Sequence, residues 1–296
     1  MKLEYIVGCK SEVRKILKEK FAFSEKLYLK VKNNYIFING NPAKVYQELN
    51  VGDVLSIDLS YKETSDNIVA NSEIKFDILY EDDWMLIVNK PAGIPVHPSL
   101  NHYSNSLSNG VKYYFNTINL DKKIRPVNRL DKDTSGIVIF AKCEYIQESL
   151  SRQMQKDLFY KEYIAIVNGC ITGEGIINEP IARKDSSIIE RCVSPAGEHA
   201  VTKYSVLKNI VIDDNQFSVV KCVLETGRTH QIRVHMAYIG HSLIGDTLYG
   251  VKSNLIDRQA LHAHIVSFIH PVTGEKIEIV CPIPDDMKKI IDFKYE

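Results

Sequence analysis

Residues 125–136 read Arg-Pro-Val-Asn-Arg-Leu-Asp-Lys-Asp-Thr-Ser-Gly. This stretch places the cation of Arg129 two residues before the carboxylate of Asp131, and it leads directly into the apolar run 137–141, Ile-Val-Ile-Phe-Ala. A polar cluster ahead of such a run predicts a loop that presents a carboxylate at the mouth of a buried strand. An isolated arginine and aspartate at this spacing are more often a surface ion pair or a turn cap, so the wider sequence has to decide.

The composition is that of a folded chain with enough apolar residues for a core. Of 296 residues, 45% are hydrophobic and 25% are charged, which allows one large domain or two of ordinary size. The formal net charge is zero, unlike that of a generic nucleic-acid-binding protein. The segment 10–44 differs, because it carries nine cations against three acids, and it predicts either a phosphate-facing patch or a solvated helix face. These cations are Lys10, Arg14, Lys15, Lys18, Lys20, Lys26, Lys30, Lys32 and Lys44.

Cysteine spacing and segment hydrophobicity bear on the compartment. The six cysteines are scattered without a C-x-x-C pair, which favours a reducing compartment over a disulfide framework or a zinc knuckle. Residues 1–7 lack the apolar core of a signal peptide, and no run approaches membrane-spanning length. A cytoplasmic protein that does not associate with a membrane is therefore expected. A phosphate-binding G-x-x-x-x-G-K-[ST] loop is also absent from the sequence, so no nucleotide cofactor is expected.

Residues 1–62 are expected to form a small α+β unit of their own. Ser11 and Ser24 are predicted to cap two short helices, since each precedes apolar residues at helical spacing. The run 35–40, Tyr-Ile-Phe-Ile-Asn-Gly, predicts a strand that enters a hairpin turn, and residues 50–59 predict a second turn and strand. The polar segment that follows, residues 63–74, is interpreted as a linker.

Residues 75–296 mix strands and helices in no regular alternation. Runs rich in β-branched and aromatic residues predict the strands of a sheet. Ile146, Leu150 and Met154 recur at helical spacing, and a second helix is predicted between a Thr229 cap and a Gly240 stop. Such irregular mixing indicates an α+β fold and not a doubly wound α/β sheet.

Four segments of this region resemble the RluA-type pseudouridine synthases, and the resemblance spans nearly all of residues 75–282. The first is R-L-D-x-x-T-S-G, and the second is Asn-Lys-Pro-x-Gly-x-x-Val-His-Pro at 89–98. The third is Lys-x-Tyr-x-Ala-x-Val-x-Gly at 161–169, and the fourth is the long block Thr-Gly-Arg-Thr-His-Gln-Ile-Arg-Val-His through Gly-Asp-x-x-Tyr-Gly at 226–250. Residues 37–55 similarly resemble the hairpin half of the alpha-L RNA-binding module.

The resemblance implies a fold and a reaction. The fold is α+β, with a mixed, largely antiparallel central sheet, flanking helices and a basic, aromatic active-site cleft, preceded by the small RNA-binding unit. Enzymes of this family isomerise uridine within folded RNA and need neither a cofactor nor a metal. The expected organisation is an alpha-L-like module at 1–62, a linker at 63–74 and a catalytic domain at 75–296.

The resemblance also assigns three catalytic residues. Asp131 acts at the sugar of the target nucleotide, either by attacking C1′ or by removing a nearby sugar proton. Tyr163 corresponds to the tyrosine that packs against the uracil ring, for which a phenol is suited by its flat face and its hydroxyl. Arg233 corresponds to the cation that pairs with the aspartate, stabilising its charge and fixing its rotamer.

Seven further residues are predicted to contact the RNA. Arg129 is expected to enter the space that the extruded base leaves. Asn128 stands where the family usually has His, which alters the hydrogen bonding around Arg129. The others are Lys90, a candidate phosphate contact, and Thr134, Arg228, His230 and Gln231, which are expected in the wall of the cleft.

His262 and His264 have the spacing of metal ligands, but the family carries a similar Leu-His-Ala segment without a metal, so they are interpreted as structural. The implied substrate is large-subunit ribosomal RNA, with transfer RNA as the alternative, bound by a monomer. Selection of the target uridine is assigned to the loops 100–124 and 173–198. Two rival hypotheses are an RNA-binding or assembly factor without catalysis, and a hydrolase that pairs Asp131 with Asp133.

Overall fold

The computed structural model describes residues 1–63, 67–99, 102–156 and 158–292, so three residues of the predicted linker lie outside the described ranges. The chain begins with a small unit of six short strands within those ranges. They are β1 (Lys2–Ile6), β2 (Ser11–Glu12), β3 (Ile36–Ile38), β4 (Asn41–Pro42), β5 (Glu48–Leu49) and β6 (Val54–Asp58). Strands β1, β6, β3 and β4 form one antiparallel sheet in that order, and β2 pairs with β5. The predicted hairpin turn is confirmed, because Asn39 and Gly40 both take positive φ between β3 and β4.

Two helical segments cross this unit. Helix α1 (Val13–Lys15) continues into a π-helical turn, Ile16–Lys20, and α2 spans Glu25–Val31. The Ser24 cap is confirmed, since its hydroxyl accepts a hydrogen bond from Leu27 N at 3.2 Å. The Ser11 cap is wrong: Ser11 lies in β2, where its backbone pairs with β5, and Glu12 is the residue that precedes the helix.

The remainder of the chain is built on a large mixed sheet. In chain order its strands are β7 (Asp77–Glu81), β8 (Met85–Lys90), β9 (Arg125–Pro126), β10 (Ser135–Ala141), β11 (Tyr160–Asn168), β12 (Glu174–Asn178), β15 (Val201–Ile212), β16 (Asn215–Leu224), β17 (Leu261–Ile269) and β18 (Lys276–Val280). Between β12 and β15 the chain forms a separate two-stranded hairpin of β13 (Ile181–Arg183) and β14 (Arg191–Val193). The order is β12-β15-β16-β11-β17-β10-β8-β7, with β9 beside β10 and β18 beside β17. Among the described residues only β10 and β17 pair in parallel, so the predicted α+β fold with a largely antiparallel sheet is confirmed.

Four helices flank this sheet in the described ranges: α3 (Leu107–Thr117), α4 (Glu144–Gln155), α5 (Gln231–Tyr238) and α6 (Asp285–Ile291). The interpretation of 100–124 as a loop is wrong for its middle, where α3 buries Leu107, Val111 and Phe115 at four-residue spacing. The segment 173–198 likewise contains β12, β13 and β14. None of the helices in the described part of the chain combines the length and the apolar composition that a membrane crossing requires.

The N-terminal unit packs against α4 rather than standing apart. Phe21 and Phe23 place their rings 6.2 and 5.4 Å from the ring of Tyr145, measured between centroids. Glu144 accepts hydrogen bonds from Lys30 at 2.6 Å and from the Tyr61 hydroxyl at 2.9 Å. Aromatic packing and a partly buried ion pair therefore join the N-terminal unit to helix α4.

Candidate active site

The loop before β10, the start of β11 and the first turn of α5 meet around one concavity. Eight of the ten predicted site residues line it: Arg129, Asp131, Thr134, Tyr163, Arg228, His230, Gln231 and Arg233. Leu130, Leu224, Ile232 and Leu261 supply its apolar wall. The concavity therefore combines an apolar wall with converging charged and polar side chains, which can fix the orientation of a bound ring.

A glycine sets the position of the loop that carries Asp131. Gly136 lies in β10 directly opposite Ala263 of β17, with φ of +111°. A Cβ at this position would stand 2.2 Å from the Ala263 carbonyl oxygen, so only glycine lets the two strands approach this closely. The parallel pairing of β10 with β17 therefore fixes the position of the last residues of the R-L-D-x-x-T-S-G segment.

Arg233 lies between two carboxylates. Its Nη1 donates to Asp131 Oδ2 at 3.0 Å. On its other side, Nε and Nη2 donate to Asp246 Oδ2 and Oδ1 at 2.7 and 2.9 Å, a two-bond arrangement that fixes the plane of the guanidinium. The pair with Asp246 is buried, whereas the Asp131 side chain is 24% exposed to the concavity. The predicted pairing of Asp131 with Arg233 is present in the structure.

The electrostatics of this triad follow from burial and mutual contact. Burial disfavours the charged form of Asp246, but the hydrogen bonds from Arg233 outweigh that effect and lower the pKa of the carboxyl. Burial opposes the charge on Arg233 as well, but the two carboxylates raise the pKa of its guanidinium. Arg233 therefore stays cationic and presents a fixed donor to Asp131.

Tyr163 lies on β11 with its ring buried in the wall of the concavity. The ladder between β11 and β17 is irregular here: Glu162 pairs with Ile265 and Tyr163 with Ala263, which leaves His264 as an extra residue on β17. Such bulges redirect side chains near functional sites. Burial, assisted by the charge of Asp131, raises the pKa of the Tyr163 phenol, so the hydroxyl keeps its proton at neutral pH.

His230 bridges Asp131 and Tyr249. Its Nε2 lies 3.8 Å from Asp131 Oδ2, and its Nδ1 lies 2.8 Å from the Tyr249 hydroxyl. Burial lowers the pKa of His230, so the imidazole is neutral at pH 7. The predicted Thr229 cap of α5 is wrong, because His230 itself precedes the helix with a left-handed φ of 59°.

The remaining wall residues differ in how they are held. Gln231 is buried and donates through Nε2 to Val201 O and Thr202 Oγ1, so its side chain fastens α5 to β15. Arg228 donates to His199 O and pairs with Glu198 at the rim. Arg129 is exposed and makes no hydrogen bond or ion pair with another described residue.

Two predicted RNA contacts are placed elsewhere. Lys90 is fully buried, and its Nζ donates at 2.8 Å to each of the carbonyls of Pro91, Ile94 and Lys132, which uses all three of its protons. Burial lowers the pKa of Lys90 to about 7, against the attraction of Asp133. Lys90 therefore ties the 89–98 loop to the residue after Asp131, and its prediction as a phosphate contact is wrong.

Asn128 serves the backbone in a similar way. Its Nδ2 donates to Ile137 O, and its Oδ1 accepts from Ile139 N, both at 2.9 Å. The amide thereby pairs with the edge of β10 and does not line the concavity. Asn128 thus supports the backbone of β10, and its predicted contact with RNA stays a prediction.

His262 and His264 also have protein partners. His262 Nδ1 lies 2.9 Å from Ser135 Oγ, and His264 Nδ1 lies 2.7 Å from Cys281 O. Burial lowers the pKa of His262 to about 4. No group of three or more His, Cys, Asp or Glu side chains suited to a metal ion occurs within the described ranges.

Sequence reasoning missed Asp246 and Tyr249. Asp246 holds Arg233, and Tyr249 contacts His230 while its ring lies 5.1 Å from the Arg233 guanidinium carbon. Both belong to the Gly-Asp-Thr-Leu-Tyr-Gly run at 245–250, where a lone carboxylate stands between glycines. The local signal was present, but nothing in the spacing revealed which cation the carboxylate binds.

Comparisons with known proteins point to one family. The family model described as RNA pseudouridylate synthase matches residues 84–238. The uncharacterized RNA pseudouridine synthase YhcT of Bacillus subtilis (strain 168) is 45% identical, covering 81% of this chain and 78% of its own length. YjbO of the same strain, also named an uncharacterized RNA pseudouridine synthase, is 41% identical over 86% of this chain and 88% of its own length. Ribosomal large subunit pseudouridine synthase D of Vibrio cholerae is 40% identical, over 73% of this chain and 69% of its own.

A solved structure agrees with these relatives. Human RNA Pseudouridylate Synthase Domain Containing 1 superposes with a TM-score of 0.59 at 26% identity, covering 72% of this chain and 85% of the human one. The similarity therefore extends from the sequence to the arrangement of the backbone.

Proposed function

Given that this chain belongs to the RluA-type RNA pseudouridine synthases, we propose that it modifies large-subunit ribosomal RNA and that Asp131 is its catalytic carboxylate. The enzyme is an isomerase that acts on RNA. Its reaction breaks the N1–C1′ bond of uridine, turns the uracil and rejoins it through C5; the C5 proton is lost and N1 gains one.

One observation carries the assignment of Asp131. Its carboxylate is paired with the buried Arg233 on one side and is open to the concavity on the other, where the ring of Tyr163 lies. A nucleophile or base must be oriented and accessible, and the contact with Arg233 and the open side of the carboxylate provide both.

The proposed course of the reaction uses the residues of the concavity in turn. The target base leaves its stack, at a cost of a few kcal/mol, and enters the concavity. Arg129, which is exposed and lines the concavity, fills the vacated space in the RNA. Asp131 then attacks C1′ or removes a sugar proton, and Tyr163 stacks on the detached uracil and assists loss of the C5 proton.

The choice of RNA rests on named relatives. Those called ribosomal large subunit pseudouridine synthase D, in Vibrio cholerae and Salmonella typhimurium among others, are 40% and 36% identical to this chain. Transfer RNA is the alternative substrate. In this proposal the 1–62 unit is an RNA-binding module ahead of a 75–296 catalytic domain, and the enzyme acts as a cytoplasmic monomer.

Tritium release tests the role of Asp131. Ribosomal RNA transcribed with 5-tritiated uridine should lose tritium to water with the wild-type enzyme, whereas Asp131→Asn should reduce release by at least about 10³-fold, as expected when a nucleophile or base is removed. Asp133→Asn is the matched control, because Asp133 lies two residues along the same loop but lines a different concavity. Equal release by wild type and Asp131→Asn would refute the assignment.

The same assay separates the hydrolase hypothesis. A hydrolase pairing Asp131 with Asp133 would release free uracil, and Asp133→Asn would abolish that release. We expect no free uracil. Mapping pseudouridine in ribosomal and transfer RNA from cells with and without the gene then identifies the target; sites lost only from transfer RNA would contradict the ribosomal assignment.

A further inference from the structure

A second concavity adjoins the active-site concavity and is rich in arginine. It lies between the β13–β14 hairpin and the loop that carries Arg228 and Thr229. We call it the arginine groove, after the three guanidinium side chains that line it, those of Arg183, Arg191 and Arg228. Glu198 is its only acidic lining residue among the described residues, so the groove has three positive charges and one negative, a net +2.

The hairpin places two of these arginines against each other. Arg183 of β13 and Arg191 of β14 are direct cross-strand partners in an isolated two-stranded ladder. Like charges in this position destabilise a hairpin. The repulsion between Arg183 and Arg191 therefore destabilises the hairpin in the absence of a ligand. An anion bound between the two side chains would relieve it.

The guanidinium groups are also available to a ligand. Arg183 is exposed, and its guanidinium makes no hydrogen bond or ion pair with another described residue. Among the described residues, the Arg191 guanidinium donates only to backbone carbonyls, those of Ile189 and Glu190, at 3.3 and 3.2 Å. Arg228 pairs with Glu198, whose side chain is 72% exposed, so that pair is open to exchange with another anion.

The groove is joined to the active-site concavity by shared residues. Arg228 lines both concavities, and Thr229 of the groove directly precedes His230 of the site. The backbone N–H of Arg191 donates to the Tyr249 hydroxyl at 2.8 Å, and that hydroxyl contacts His230. An anion in the groove would thus lie beside whatever occupies the concavity around Asp131.

We propose that the arginine groove binds a backbone phosphate of the RNA strand next to the target nucleotide. The assignment rests on the proposed function, in which the extruded uridine fills the adjoining concavity and the strand on one side of it must cross the rim at Arg228. Phosphate is the anion on such a strand, and the planar fork of arginine matches its oxygens.

Salt dependence of binding tests the groove without requiring catalysis or a known target. Fluorescein-labelled oligouridylate of nine nucleotides is titrated with full-length protein at several KCl concentrations, followed by anisotropy. Each phosphate contact on a single strand contributes about 0.7 to the slope of log K against log salt, so Arg183→Gln and Arg191→Gln should each reduce the slope by up to that amount and weaken binding several-fold at low salt. Lys276→Gln on β18, a 68% exposed cation outside both concavities, should leave the slope unchanged.

Two further readouts distinguish a ligand site from a structural role. Arg183→Lys should keep most of the slope of log K against log salt, because the charge remains. Arg183→Gln should leave the melting temperature of the RNA-free protein unchanged or slightly higher, since the repulsion between Arg183 and Arg191 is relieved. An unchanged slope in both glutamine variants, or an equal loss in Lys276→Gln, would overturn the proposal. So would a melting temperature that falls in parallel with affinity.

The outcome is separable from that of the proposed function. If the wild type releases no tritium but the groove variants lose slope, the groove stands and the enzymatic assignment of Asp131 fails. If tritium release depends on Asp131 while the glutamine variants bind with an unchanged slope, the enzyme stands and the groove does not.

Discussion

Arg233 divides its donors between a carboxylate that faces the concavity and one that is buried behind it. The two bonds to Asp246 fix the guanidinium, and the guanidinium in turn fixes the Asp131 carboxylate at 3.0 Å. Asp246 itself is held by the backbone N–H groups of Leu248 and Tyr249. The orientation of Asp131 therefore depends on the run 245–250 as much as on its own loop.

Replacing Asp246 tests this dependence. Asp246→Asn preserves the shape but removes the charge from a buried, charge-assisted pair, a loss of about 1.5–3 kcal/mol that should lower kcat roughly 10- to 100-fold. Asp286→Asn is a matched control, because Asp286 binds Arg258 through the same two-bond geometry at 2.7 and 3.0 Å outside the concavity. Single-turnover tritium release checks both; equal kcat in the two variants would show that Arg233 needs no support from Asp246.

Tyr249 offers a subtler perturbation of the same site. Tyr249→Phe keeps the ring beside Arg233 but removes the hydroxyl that contacts His230 and accepts from Arg191 N. Loss of this bridge, worth about 1–2 kcal/mol, should lower kcat roughly 5- to 30-fold at saturating RNA. Tyr80→Phe, which also loses a 2.8 Å hydroxyl contact but at another part of the sheet, should retain kcat. Wild-type turnover by Tyr249→Phe would mean that the bridge does not orient the site.

The sequence predicted well which residues line the same site, but it predicted less well which atoms each side chain binds. Asp131, Tyr163 and Arg233 were predicted to share a site, and they line one concavity. Lys90 was expected to contact a phosphate because its motif position is adjacent to the site, but its ammonium donates to the backbone carbonyls of Pro91, Ile94 and Lys132. The carbonyl of Lys132 comes from a distant part of the chain, and no local pattern in the sequence indicates that contact.

Among the elements, the parallel contact of β10 with β17 does most to position the site, and Gly136 makes it possible. Gly136→Ala should destabilise the fold by about 2–5 kcal/mol, because it adds a clash with the Ala263 carbonyl to the strain of a positive φ. Gly274→Ala separates the two effects: Gly274 has a φ of +76° but no atom within 4 Å of the added Cβ, so it should cost only about 1–2 kcal/mol. Urea denaturation compares them, and equal costs would show that β17 can move away from β10.

Helix α3 shows why an element can be missed although its signals are in the sequence. Its buried residues recur at four-residue spacing, and Ser106 with Asn109 forms a capping box at its start. Gly110 in its first half is atypical of helix interiors, and its role appears only in the fold, where a Cβ would stand 2.8–2.9 Å from Ile74 atoms. Strand β1 was missed for a related reason, since it is stabilised by pairing with β6, which lies far away in the sequence.

Over the whole molecule, the structure changes the meaning of the basic segment 10–44. Lys30 points at Glu144 of α4, and Lys26 lies 3.4 Å from the same carboxylate, so these two cations stabilise the contact between the N-terminal unit and the sheet domain. Charge reversal there would disrupt that contact before it reported on RNA. Lys32 carries no such pairing with another described residue, and it is the better site for testing RNA affinity in this segment.

The contact at Glu144 predicts a specific response to acid. Burial disfavours its charge, but Lys30, Tyr61 and the nearby Arg125 outweigh burial and lower the pKa of Glu144 to about 2 from 4.5. A depressed carboxyl pKa contributes stability that is fully present above about 4.5 and is lost as the pH falls toward 2. Because water reaches part of the carboxylate, we expect a contribution of roughly 2 kcal/mol rather than the full value of the shift.

Glu144→Gln should therefore be less stable than wild type by roughly 2 kcal/mol at pH 7, and more than half of this difference should be lost by pH 3, as the pH approaches the lowered pKa of Glu144. Urea denaturation at pH 7, 5, 4 and 3 measures the two curves. Glu48→Gln is the control, because Glu48 pairs with Lys10 at 2.8 Å with both side chains largely exposed, and it should differ from wild type by less than about 0.5 kcal/mol at every pH. Parallel curves for Glu144→Gln and wild type would show that the N-terminal unit is held by its aromatic contacts with Tyr145 and not by this buried charge.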